Sequence, residues 1–349
     1  MKREVDRKKM KAVDRVKKAI HFGSPDYPPL LHGFSSGVIV RQAEWVAEMY
    51  RRYPDDFGAG DEARPPYRDR RSVELGVETV DSWGVRKRVA LDAVQPMVVE
   101  NPLRDLARLA EYSPPEVTPA AYDGLRQQIA ASAHSRYVFA GISDLFGTMC
   151  NLHGEIDTLA DLAEDPERLR PLADMVFGVC LRGARLLRDT GVDGVWMGDD
   201  WGTQRALTIR PELWRSFFKP YYRRLIDETH AGGMDFLFHS CGCIIDIVPD
   251  LMEIGVDALH PQVAILPEAR FLDLVRGRLC IIGDVDRQQV MPLLPPEGVR
   301  RATLTQWRKL ADARGGLILR GEITPDVPRA NAEAFLAACA EFQRTHGRS

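Results

Sequence analysis

The chain has 349 residues, 45% of them hydrophobic and 28% charged, with a formal net charge of −3. That length suits one large barrel or two ordinary domains. The near-even charge balance gives no general electrostatic case for nucleic acid or a membrane surface as partner. No run approaches the ~18 apolar residues of a transmembrane helix, and the N-terminus shows no apolar signal core.

In chain order, residues 1–18 carry nine Lys or Arg against three acids. Val5, Val13, Val16 and Ile20 give this stretch a partial apolar face, so it reads as a solvated helix rather than a basic arm. Residues 27–34 read as a first strand and 42–53 as a helix. A polar loop with Gly and Pro covers 58–71. Residues 77–99 read as a hairpin around Trp83-Gly84, an excursion outside the core layers. Short helices are expected over 102–111 and 120–132.

From residue 135 a rhythm sets in. Strands are expected at 137–142, 192–197, 234–238, 256–259, 279–282 and 316–319. Between them lie helical stretches, including 166–190, 211–230 with a kink or break at Pro220, 244–254, 267–276 and 296–313, and the chain closes on a helix at 330–346. Strand–helix alternation means βα units and a parallel sheet. About six strands after residue 135, with one or two before it, suit a single (β/α)8 TIM-type barrel over the whole chain. The N-terminal helix (1–26) and an excursion (54–119) would elaborate it. No GxGxxG opens a helix, so a dinucleotide fold has no motif support.

Active sites of such barrels lie at the C-terminal ends of the strands. Those ends carry Asp144, Asp199, Asp200, His239, Cys241, His260, Asp284, Asp286 and Glu322. A lone Asp after a strand is commonly a turn or helix-capping residue, which is the plainer reading for Asp250 and Asp257. Capping does not explain His239-Ser240-Cys241 on one of the same ends. Residues two apart on a strand share a side, and imidazole with thiolate suits zinc. A catalytic zinc needs a third protein ligand, and Cys243, Cys280, Glu322 or one of the aspartates could supply it. Trp196, Trp201 and Trp214 are candidates to line a pocket, although for Trp214, on a helix, packing is the plainer reading. Lys219 to Arg224 reads as a charged helix face rather than an anion site. The six cysteines (Cys150, Cys180, Cys241, Cys243, Cys280 and Cys339) read as reduced thiols of a cytoplasmic protein.

Several segments together resemble the uroporphyrinogen decarboxylase superfamily, and more closely its corrinoid-dependent methyltransferase branch. They are Thr190-Gly191-Val192-Asp193-Gly194, Gly198-Asp199-Asp200-Trp201-Gly202-Thr203-Gln204, Pro211-Glu212-Leu213-Trp214 and Lys219-Pro220-Tyr221. Asp81-Ser82-Trp83-Gly84-Val85, Asn101-Pro102-Leu103, Phe238-His239-Ser240-Cys241-Gly242, Gly283-Asp284-Val285-Asp286 and Gly315-Gly316-Leu317-Ile318-Leu319 add to the match. The resemblance implies a (β/α)8 barrel. It also implies that the chain is not itself a porphyrinogen decarboxylase, because Arg41-Gln42-Ala43-Glu44 has Glu where that enzyme's loop needs Arg.

What the branch implies is zinc held by His239 and Cys241, and a methyl group exchanged between a small methylated substrate and a corrinoid (cobalamin). The corrinoid would be free or carried by a separate protein, since this chain has no room for a second cofactor domain. The branch's third ligand is a Cys after the last strand. Here that text is Arg320-Gly321-Glu322-Ile323-Thr324-Pro325-Asp326, so Glu322 takes the role, with Cys243 in reserve. A His/Cys/Glu set is harder than His/Cys/Cys and slightly favours demethylation of an oxygen- or nitrogen-bound methyl group over thiol chemistry. Asp199, Asp200 and Glu322 are the expected catalytic residues. Asp144, Trp83, Gln204, His260, Asp284 and Asp286 are expected to contact substrate or cofactor, with Trp83 capping the mouth. The alternatives are a metal-free decarboxylase-like enzyme and a non-catalytic barrel that binds corrinoid. The sequence leaves a homo-oligomer open.

Overall fold

The computed structural model describes residues 10–59, 73–91 and 96–346. Its strands are β1 (Glu78–Val80), β2 (Arg86–Arg88), β3 (Met97–Glu100), β4 (Phe139–Gly141), β5 (Gly194–Gly198), β6 (Asp235–Ser240), β7 (Ala258–Pro261), β8 (Cys280–Ile282) and β9 (Leu317–Ile318). The last six form one sheet in chain order, and every neighbouring pair is parallel. Helices separate them, as parallel crossovers require. Each predicted strand after residue 135 is found, shortened or shifted by a few residues.

Two further segments continue the ring. Leu30 and Phe34 form parallel bridges to Leu319 and Ile323, and Phe57 forms one to Tyr137. The Leu31 N–H donates to the Leu319 carbonyl at 2.9 Å, Asp56 N–H to Leu30 at 3.0 Å, and Tyr137 N–H to Asp56 at 3.1 Å. Backbone hydrogen bonding thus passes from β9 through residues 30–34 and 56–58 to β4, the connectivity of a (β/α)8 barrel. The second of these segments corrects the sequence reading, which gives residues from 54 onward to an excursion. Phe57 is its one large apolar residue beside Asp55 and Asp56, too short a run to show a strand's period.

Two apolar clusters mark the two faces of the sheet. Leu31, Phe57, Tyr137, Leu237, Ala258, Cys280, Ile282 and Ile318 pack together with Phe139 and Trp196, one or two from each strand of the ring. This is the barrel interior. Val16 and Ile20 of the helix Ala12–Ile20 join it, so that helix plugs the end where the strands begin. The larger cluster lies between the strands and the outer helices.

The excursion differs from expectation in one respect. β1, β2 and β3 make a small antiparallel sheet, but Trp83 and Val85 from its turn are buried in the main core. Asp81 fixes that turn by accepting from the N–H groups of Trp83 (2.9 Å) and Val85 (3.1 Å). Pro220 acts as predicted: the chain breaks at Phe218 between the helices Pro211–Phe217 and Lys219–Ala231. The predicted polar loop at 58–71 and the basic residues before Met10 lie almost wholly outside the described residues.

Candidate metal centre at the barrel mouth

The interior alternation of the strands continues past the apolar layers into a polar one. In register, Gly198 faces His239 and His239 faces His260, while Ile282 faces Ile318. Two residues further along each strand come Asp200, Cys241, Gln262, Asp284 and Arg320, with Glu322 one step beyond. Period two keeps these side chains on the inner face, so the barrel's own geometry gathers them at its C-terminal mouth.

His239, Cys241 and Asp200 form one group there, with one ligand atom of each within 4.8 Å of the others. His239 Nε2 lies 3.4 Å from Cys241 Sγ and 3.6 Å from Asp200 Oδ1. Tetrahedral zinc with ordinary bond lengths separates such donor atoms by about 3.4–3.6 Å. The other imidazole nitrogen, Nδ1, donates to the His260 carbonyl at 2.8 Å. That bond fixes the tautomer and leaves the Nε2 lone pair facing the cysteine. Gln262 supports the thiol: its Nε2 donates to Cys241 Sγ at 3.4 Å, and its Oε1 accepts from the Gly242 N–H at 2.9 Å. The donor set therefore fits zinc.

Two glycines set this geometry. Gly242 has φ +82°, and a Cβ there would overlap the Gly202 carbonyl; a Cβ on Gly202 would overlap the Gly242–Cys243 peptide. The turns after β5 and β6 cross so closely that neither tolerates a side chain. They are tied by Gly202 N–H to the Cys241 carbonyl (3.0 Å) and Cys243 N–H to the Thr203 carbonyl (2.7 Å). Asp200 Oδ1 also accepts from the Cys241 N–H at 2.8 Å, so Asp200 and Cys241 hold a fixed relation.

Burial holds His239 neutral by pushing its pKa down. It pushes the Cys241 thiol up to about 12, with the Asp200 charge adding to the effect. His260, its ring 4.7 Å from that of His239, is likewise kept neutral by burial. A bound cation reverses the cost of the thiolate.

The remaining predicted residues fall into two groups. Glu322 lies outside the three-residue group, and its carboxylate is engaged by Arg287 Nη1 at 2.6 Å. Cys243 is 5% exposed and packs in the outer core. Cys280 faces the apolar interior. Asp199 is buried and accepts from the N–H groups of Leu145, Phe146 and Gly147 and from the Tyr222 hydroxyl. It thereby anchors the start of the helix Phe146–His153, and burial, with the Asp144 charge adding, pushes its pKa up to about 7. Asp144 accepts from Thr148 Oγ1 at 2.6 Å within that same turn. Asp286 accepts from the N–H groups of Gln288 and Gln289. Gln204 is exposed on its loop. Trp83, Trp201 and Trp214 are buried in the core, whereas Trp196 joins the interior cluster, 5.7 Å from His260. Asp250 and Asp257 serve structure: the first pairs with Arg215 and Lys219, the second accepts from Phe236 N–H.

A family model for uroporphyrinogen decarboxylase (URO-D) matches residues 84–342. The chain belongs to the uroporphyrinogen decarboxylase family. Among solved structures, a methyltransferase from Methanosarcina mazei superposes with a TM-score of 0.68 at 16% identity, covering 95% of this chain and 99% of that one. At that identity the likeness establishes the fold. D-psicose 3-epimerase (TM-score 0.38, 11% identity, 69% of this chain and 84% of that one) shares too little to carry an argument. The same holds for an endo-β-1,4-xylanase from Gloeophyllum trabeum, at TM-score 0.41 and 11% identity, covering 64% of this chain and 81% of that one. No match was found among curated protein sequences.

On this URO-D barrel, sequence reading missed Gln262, Arg287 and Arg320. Gln262 and Arg320 carried a signal: each stands two residues from a residue already singled out, His260 and Glu322, and so shares its face. Around them several polar atoms have no partner among the described residues: both ring nitrogens of His260, Asp284 Oδ1 and Arg320 Nε. His260 is 3% exposed and Asp284 6%. Unpaired buried polar groups of this kind are rare in protein interiors and each costs about 1–3 kcal/mol.

Proposed function

We propose that this protein is a zinc-dependent methyltransferase that moves a methyl group between a small methylated substrate and a corrinoid. The observation that carries the reading is the convergence of His239 Nε2, Cys241 Sγ and an Asp200 oxygen within 4.8 Å at the barrel mouth. The methyltransferase from Methanosarcina mazei, which shares the fold over nearly its whole length, adds to it. His239, Cys241 and Asp200 would hold the metal. A zinc ion there would act as a Lewis acid on the substrate heteroatom, lowering the cost of the negative charge left when its bond to methyl breaks.

The chain's own residues prepare that centre. The His260 carbonyl aims His239, and Gln262 donates to the sulfur and so favours the thiolate. The rings of Trp196 and His260 pack beside the His239 imidazole, at 6.4 Å and 4.7 Å. Asp199 fixes the neighbouring helix start by accepting four hydrogen bonds. An oxygen-bound methyl group is slightly favoured, because a carboxylate in the ligand set is a harder donor than a second thiolate. The corrinoid is taken from a partner protein or from solution.

The test is formation of methylcobalamin, followed by its absorbance, from methoxyaromatics, methylamines and methylthiols, with and without prior removal of metal by a chelator. Activity that depends on zinc supports the reading. Undiminished activity in zinc-free protein would point to a metal-free enzyme, and corrinoid binding without transfer to a non-catalytic barrel.

A further inference from the structure

The methyl-transfer reading uses only the end of the barrel where the strands finish. At the opposite end, His21, Asp235 and Asp257 bring one ligand atom each within 4.8 Å of one another. Three elements deliver them. Asp235 opens β6. Asp257 immediately precedes β7, and its N–H donates to the Phe236 carbonyl at 3.0 Å, so the two strand starts are locked together. His21 ends the helix Ala12–Ile20 as its C-cap. Its place is fixed as well: its N–H donates to the Lys17 carbonyl at 2.9 Å, and the nearby Ala19 carbonyl accepts from the Gly316 N–H at 2.7 Å. Asp235 and His239 stand four residues apart on one strand, roughly 13 Å, so this group is separate from the centre at the mouth.

Further groups orient both carboxylates. The Tyr137 hydroxyl donates to Asp235 Oδ2 at 2.8 Å. Asp257 Oδ2 accepts from the Phe236 N–H at 2.7 Å and pairs with His230 Nε2 at 2.7 Å. Outer partners of this kind hold the ligands of metal sites in position. The other oxygen of Asp235, Oδ1, lies 2.8 Å from His21 Nε2. Neighbouring ligands about 2.1 Å from a six-coordinate cation are ~3.0 Å apart, so this pair needs to open by only ~0.2 Å. The side chains of His21, Asp235 and Asp257 are 55%, 13% and 19% exposed, which leaves an ion and its waters a way in. Two carboxylates and one imidazole, without a thiolate, make a harder donor set than His239 with Cys241, one suited to manganese or a similar divalent cation. We propose that His21, Asp235 and Asp257 hold such a cation at the plugged end of the barrel, where it ties the N-terminal helix to β6 and β7. The ion would also relieve the repulsion between the two carboxylates. Open to water and lacking a thiolate, this centre is the weaker of the two and gives up its ion on dialysis, so the zinc that stays with the protein is that of the mouth. The proposal does not depend on the methyl-transfer reading.

Titration of the zinc-loaded, dialysed protein with Mn2+ tests it, followed by loss of the free-ion signal in electron paramagnetic resonance. The wild type takes up a single Mn2+ per chain at sub-millimolar concentration, and the bound ion slows amide hydrogen exchange in the helix Ala12–Ile20. His21→Gln and Asp257→Asn each weaken that binding by about tenfold or more and abolish the protection. His134→Gln breaks the comparable pair with Asp193, 2.7 Å apart and outside the ligand group, and leaves the Mn2+ affinity unchanged. A wild type that leaves the free-ion signal undiminished up to about 1 mM Mn2+ overturns the proposal, and that result needs no variant to fold. His21→Gln and Asp257→Asn proteins that are folded by circular dichroism and bind Mn2+ like the wild type would show adventitious surface binding only, and overturn it equally. Mn2+ bound in this way by protein that takes up no zinc would sink the zinc reading of the mouth and leave this one standing.

Discussion

Replacing Gly242 by alanine separates the geometry of the metal ligands from the stability of the fold. Gly242 sits at φ +82°, and its Cβ would overlap the Gly202 carbonyl, well inside the 3.0 Å that carbon needs from non-bonded neighbours. A left-handed backbone costs a non-glycine residue about 1–2 kcal/mol. Beyond that, the two turns must separate by on the order of 1 Å, several times the roughly 0.2 Å tolerance of a zinc–ligand distance. Cys241 is the residue before Gly242, and Asp200 lies two residues before Gly202, so the separation pulls two of the three ligands apart. Gly84→Ala is the control: φ is +71° there, but nothing lies within 4 Å of the added methyl. Denaturant unfolding and zinc titration are the assays. Gly84→Ala loses about 1–2 kcal/mol and keeps full zinc affinity. Gly242→Ala loses more stability and at least tenfold in zinc affinity. A Gly242→Ala protein that binds zinc like the wild type would refute the idea that this crossing positions the ligands.

Gln262→Ala removes a side chain that donates to the Cys241 sulfur; zinc affinity falls about 10- to 100-fold with the fold intact, measured by competition with a chromophoric chelator. Asp200→Ala lowers zinc affinity more than Glu322→Ala does, because Asp200 stands in the ligand group while Glu322 is held by Arg287; the reverse order would make Glu322 the ligand. Zinc binds more tightly as pH rises. His239 is already neutral because burial pushes its pKa down, whereas the Cys241 thiol, pushed up to about 12, must lose its proton. Binding thus releases roughly one proton per zinc, and the dissociation constant falls about tenfold per pH unit near neutrality. Calorimetry in buffers of different ionisation enthalpy counts that proton, and a count of two or none contradicts the assignment.

The barrel was legible because its strands are short apolar runs, each ending in a polar residue, with helical periods between them. His239 and Cys241 were legible for the same reason: a strand's period of two places both on one side. Asp199 misled because a buried carboxylate that anchors a helix and one that meets a substrate look alike in one dimension. Only the four donors around it distinguish them. Phe57 was missed because a barrel strand reduced to one bridge leaves no pattern. Arg320 and Gln262 were passed over because arginine and glutamine are common on surfaces, although the step of two from Glu322 and His260 carried the information. The choice between Asp200 and Glu322 lay beyond the sequence, since it depends on Arg287 coming from a different loop to occupy Glu322.

The central claim is that the end of β6 and the end of β5 together make a zinc site. Its most direct measurement is the metal content, by mass spectrometry, of protein purified without chelators, beside His239→Ala and Cys241→Ser. The account predicts one zinc per chain in the wild type and loss of that zinc in both variants while each remains folded. A folded wild type that neither contains zinc nor takes it up when supplied, or variants that retain it in full, would contradict the account.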